Sequence, residues 1–166
     1  MSKIVLDADK VILKISEEGT YAHIVGTGDA THWEACTEEI ARNDYANRSS
    51  QSGALKDGGI YFPNENMVMP FNCGADSIVE VELPEGVKER EYKYIDGQFI
   101  INVPVRKEAI IRELAELDVI INRATEDLYI ATGTTPYASV EEVIAKKEAL
   151  RAELVELNAY EAEMKA

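Results

Sequence analysis

The stretch Tyr92–Leu117, YKYIDGQFIINVPVRKEAIIRELAEL, contains the change of period that decides the fold. Its first ten residues place aromatic and β-branched side chains on either side of Asp96-Gly97. A type I′ turn needs positive φ at both central residues, which that pair tolerates, so a β-hairpin over 92–101 is predicted. Beyond residue 105 the spacing changes. Ile110, Leu114, Leu117, Ile121, Ala124 and Leu128 step by four and three, the heptad seam of a helix that packs against another helix. Gly133 is placed to stop it.

Downstream, Thr134 to Ala138 reads as a connector, and Ser139 with Glu142 forms a capping box, with Ala138 and Val143 as its hydrophobic staple. The second helix carries Val143, Leu150, Leu154, Leu157 and Met164 on one heptad face. Lys147 and Glu161 interrupt that face, and Glu142–Lys146 adds an i,i+4 pair. A short connector makes the two helices an antiparallel hairpin. Two such helices are not expected to bury both apolar faces alone, because Ile111, Ile120, Ile130, Ile144 and Val155 lie beside or off the seam. An interface to a second copy or another protein is therefore expected, over Ile110, Leu114, Leu117, Ile121, Leu128, Val143, Leu150, Leu154 and Leu157. Packing on the chain's own sheet is the alternative.

Upstream of the switch the chain reads as short strands. Val11, Leu13 and Ile15 alternate with Lys10 and Lys14, and Val79, Val81 and Leu83 alternate with Glu80 and Glu82 before Pro84-Glu85-Gly86. Asp7 to Lys10 reads as a tight turn. Thr31 and Glu34 suggest a capping box opening a helix from His32 to Tyr45, with Trp33, Cys36 and Ile40 on one side. Residues 47–59, with three Ser and three Gly, read as a long loop. The fold class expected is α+β: a β-rich body with one short helix over 1–105, then a helical hairpin over 106–166.

Composition narrows the function. The chain has 166 residues and a formal charge of -14. The charge is divided between the parts, with 18 acidic against 9 basic residues in 1–105 and 13 against 8 in 106–166. Phosphate affinity comes from clustered Lys and Arg, so neither a nucleic-acid nor an anionic-membrane partner is expected. No apolar run approaches the length of a membrane span. The N-terminus turns acidic too soon for a signal peptide, and two cysteines far apart suit a reduced compartment.

Four possible sites are weighed against structural readings. Ile4 to Asp9 looks like the strand plus DxD that opens haloacid-dehalogenase-type phosphatases, but no βαβ series follows. Asp7 and Asp9 are read as turn residues. Gly26-Thr27-Gly28 is half of a dinucleotide fingerprint and is read as a turn. His32 and Cys36, at i,i+4 on one helical face, could hold zinc with His23 and Cys73 in principle, yet no CxxC or HxxxH clamp exists, and neither cysteine has a basic partner in sequence to make it a nucleophile. No catalytic residue, metal or cofactor is expected. Tyr61-Phe62-Pro63 and Met67 to Phe71 form an apolar cluster. The prolines suggest an edge or surface-crossing segment, which is read as the lid of a small core before a binding platform.

The runs 79–87 and 92–102, with a hairpin ending in YxDGxFxxN, lead into Ile110 to Asp118. Together with Asp118 to Leu128, Pro136-Tyr137 and Lys147 to Arg151, they resemble small tail-fibre-assembly and tail-accessory proteins of tailed bacteriophages. The resemblance covers residues 79–157 and rests on pattern. It implies a non-enzymatic virion protein of the tail or baseplate, made in the host cytoplasm, whose partners are its own copies or other virion proteins. A tail-assembly chaperone, or an acidic inhibitor of a host defence protein, is the alternative it leaves.

Overall fold

A computed structural model describes residues 1–48, 57–124 and 139–164. The fold is α+β, and the chain divides into two compact units, Met1–Asn102 and Val103–Ala166. The division falls just ahead of residue 105, because the helix begins at Val103. Pro104 sits in the first helical turn, where its missing N–H leaves no intrahelical bond unmade.

In the first unit, β1 is Ser2–Leu6, β2 is Ile12–Ser16, β3 is Thr20–Val25, β4 is His32–Ala35, β5 is Gly58–Phe62, β6 is Met67–Pro70, β7 is Ser77–Val81, β8 is Tyr92–Ile95 and β9 is Gln98–Ile101. β1 is flanked by β2 and β7 in an antiparallel sheet of order β2-β1-β7, and β5 belongs to a second sheet of order β4-β3-β5-β6. β8 and β9 form the hairpin expected at Asp96-Gly97, whose φ angles are 49° and 82°. The Asp7 turn is also as expected: its Oδ1 accepts the N–H groups of Asp9 and Val11, both at 2.9 Å.

Two side-chain clusters hold this unit together. Ile4, Leu6, Ile12 and Val81 are buried with Tyr92, Tyr94 and Phe99 of the hairpin against them. Val5, Ala41, Ile60, Phe62, Phe71 and Ala75 form the other, joined by Leu13, Tyr21, Cys36 and Ile78. The alternation predicted for β2 is therefore broken. The pairing passes from Val5↔Lys14 to Leu6↔Ile12, so β2 carries one extra residue. That bulge sends Ile12 and Ile15 into one cluster and Leu13 into the other.

The helix expected over His32–Tyr45 begins later. Residues 32–35 are a strand paired with β3, and α1 spans Glu38–Ala46. Its cap is Thr37, whose Oγ1 accepts the Ile40 N–H at 3.3 Å, and not Thr31. Pairing with β3 overrides the local capping signal, since Ala22 to Val25 offer residues 32–35 a complete antiparallel partner. Ala41, not Ile40, is the helix's buried residue. Gly58 and Gly59 of the expected loop begin β5, and residues 49–56 lie outside the described residues. Gly58 is required there: a Cβ would stand 2.0 Å from the Ala41 carbonyl oxygen, so α1 packs directly on the strand. β6 is an edge strand as its prolines suggested, whereas β5 is interior, with Pro63 just past its end.

The second unit contains α2 (Val103–Ala124) and α3 (Val140–Met164). The Ser139 Oγ accepts the Glu142 N–H at 3.3 Å, the expected cap of the second helix. Gly133, the 134–138 connector, Ala138, Ile130 and Leu128 lie outside the described residues.

Candidate functional site

Of the residues expected to meet another chain, the described ones, all but Leu128, meet one another. Val103, Ile110 and Leu117 of α2 recur every seven residues, as do Val143, Leu150 and Leu157 of α3, and these six are buried as one cluster. Leu114, Ile120, Ile121 and Leu154 are half-buried against it. A heptad pair of helices thus covers its own seam, while the off-seam Ile111, Ile144 and Val155 stay exposed as expected. Ile110, Leu117, Val143, Leu150 and Leu157 are hairpin core.

The charged interruptions in the seam are explained by the same packing. Lys107 Nζ reaches Glu161 at 2.8 Å, and Lys147 pairs with Asp118. On the other flank Arg106 grips Glu153 through two bonds of 2.6 and 2.8 Å, and Lys146 meets Glu113 at 3.3 Å. Pairs that run up α2 run down α3, so the helices are antiparallel. The long apolar stems of Lys and Arg cover the edges of the seam while their charged ends stay in water.

Outside the seam, Ile111, Val119, Ile144, Val155, Tyr160 and Met164 remain exposed, Val155 at 68%. Ile144 and Val155 are about three turns apart and share a face of α3. These side chains, and not the seam leucines, form the hairpin's available apolar surface.

The sites weighed from sequence motifs take structural roles. Asp7 spends its carboxylate on the turn. Gly26 and Gly28 adopt positive φ in the β3–β4 connection and lead into a strand. His23 Nδ1 lies 2.7 Å from Asp44 Oδ2, tying β3 to α1. Among the described residues no group of three His, Cys, Asp or Glu could hold a metal ion. Burial pushes the Cys36 thiol up, and the negative charge of Asp44 adds to the effect, which is the opposite of an activated nucleophile. No described helix is long and apolar enough to cross a membrane.

One feature was not visible in the sequence. The β4-β3-β5-β6 sheet packs one face into the core through Tyr21, Ile60, Phe62 and Met69. Its other face carries rows set by strand register. Ala35, Ala22 and Gly59 stand side by side, flanked by Trp33 and Ile24 on one side and by Thr20, Tyr61 and Val68 on the other. Ala22 and Gly59 are buried in this row, and an open cleft of about 450 Å³ is lined by His32, Trp33, Tyr61, Asn66 and Val68. The apolar cluster around Pro63 and Pro70 is therefore divided by alternation: Phe62, Met67, Met69 and Phe71 close the core, while Tyr61 and Val68 face the cleft.

Comparison with protein-family models, with curated proteins and with solved structures finds no match for this chain.

Proposed function

We propose that this is a non-enzymatic assembly protein of the tail or baseplate region of a tailed bacteriophage, acting by oligomerisation or docking through its helical hairpin. The observation that carries the reading is the apolar set left outside a seam already filled. Ile111, Ile144 and Val155 stay exposed on a surface otherwise dense in Lys, Arg, Glu and Asp. Apolar side chains that recur on one helix face of such a surface are a usual mark of an interface. The resemblance of residues 79–157 to tail-accessory proteins supplies the setting. Purified particles that contain the protein at a fixed copy number would support a virion role. Its presence in infected cells together with its absence from particles would favour an assembly chaperone.

The charge of -14 favours the second reading, an acidic inhibitor that captures a basic partner. Salt separates the two. An apolar contact survives about 1 M salt, where the screening length falls to about 3 Å, whereas charge-driven capture weakens steeply.

A further inference from the structure

We propose that the cleft on the outer face of the β4-β3-β5-β6 sheet binds a neutral saccharide. Its two rings, Trp33 and Tyr61, come from different strands, and register places both on this face of the sheet. An aromatic face is a flat apolar surface with partial negative charge, which suits the C–H face of a sugar ring. Uncharged polar groups stand beside the rings. Asn66 contributes a carboxamide from the β5–β6 turn, where it holds a left-handed φ of 45°. His32 is set by a bond of 3.0 Å in which Nδ1–H donates to the Ala30 carbonyl. Its Nε2 lies 4.0 Å from Glu34 Oε2.

The lining also says what the ligand is not. The lining holds no Lys or Arg and the Glu34 carboxylate stands beside His32, so an anionic ligand would be repelled there and would meet the field of a chain at -14. A purely apolar ligand would bury the amide and imidazole without partners, which costs binding free energy. The cleft opens on a face of the sheet, where the backbone groups of the interior strands β3 and β5 are already paired, so a peptide strand laid across that face has nothing to pair with. A ligand with one apolar face and a rim of neutral hydroxyls satisfies every group present, and the cleft volume suits one or two sugar rings.

Trp33 is the chain's single tryptophan, so its fluorescence reports this cleft directly. The experiment titrates the full chain with maltotetraose, cellotetraose and N-acetylchitotetraose, with a glucuronate oligomer and a proline-rich decapeptide as rivals. Saturable change in Trp33 emission is expected for at least one neutral tetrasaccharide, at a Kd of roughly 1 mM or tighter. Tyr61→Ala, which removes one wall, and Asn66→Gly, which removes the amide while keeping the left-handed turn, should each weaken it by about tenfold. Unchanged emission with all three neutral sugars at about 10 mM, ten times that Kd, overturns the proposal. So does saturable binding of only the peptide or the glucuronate oligomer, or binding that both variants retain at full strength while their circular dichroism stays native.

Discussion

Replacing Leu150 by Ala tests whether the hairpin is held by its own seam. Leu150 is 2% exposed and packs within the six-residue cluster that joins α2 to α3. Large-to-small changes at such sites cost about 2–5 kcal/mol, the spread reflecting how far the surroundings collapse. Here the seam is only two helices thick, so its walls can close part of the gap and the cost is about 2–3 kcal/mol. A unit of this size loses about 4–8 °C per kcal/mol, which gives a drop of roughly 8–24 °C in the helical melting transition. Val155→Ala, on an exposed site of the same helix, should stay within about 0.5 kcal/mol of the parent. Helical circular dichroism follows the hairpin, and Trp33 fluorescence independently follows the first unit. The expected result is a lowered helical transition with an unchanged Trp33 transition. Equal shifts for the two variants, or a Trp33 transition that falls with the helices, would refute the reasoning.

Three further outcomes follow from the first unit. Gly58→Ala places a Cβ 2.0 Å from the Ala41 carbonyl, so α1 must move off β5, and the Trp33 transition should show a loss of at least about 2 kcal/mol; a parental melting curve would contradict that packing. Cys36 and Tyr21 both hold their protons to higher pH when folded, mainly through burial. The folded state therefore binds more protons in that range, and stability declines once pH passes the ordinary thiol value of about 8.5. Thiol alkylation near neutral pH should label the exposed Cys73 well before Cys36, and mass mapping after digestion gives the order; equal labelling would argue against the burial of Cys36.

What could be read from the sequence was local. Asp96-Gly97 announces its hairpin because the turn's φ angles depend on those two residues. Ser139 announces its helix, and the 4-3 spacing of Ile110, Leu114 and Leu117 announces a packed seam. What escaped depended on distant partners. Thr31-His32-Trp33-Glu34 looks helical until β3 is available to pair with it, and the Leu13 bulge depends on β1. The cleft was hidden for the same reason: Trp33 and Tyr61 are far apart in sequence and come to one face of the sheet only through register. The seam itself was legible, but its occupant was not. Heptad spacing says that a helix face is buried, and the same spacing serves an intramolecular and an intermolecular partner equally well.

The central claim, assembly through the hairpin's outer face, is tested most directly by the mass of the protein in solution, by light scattering across a concentration series. The parent should show a multiple of the 18.4 kDa chain that persists in about 1 M salt. Ile144→Glu combined with Val155→Glu should reduce it to the single-chain mass with helical content intact, since neither side chain belongs to the seam. A parent that stays monomeric throughout, or an assembly that the double substitution leaves unchanged, would contradict self-association through this face.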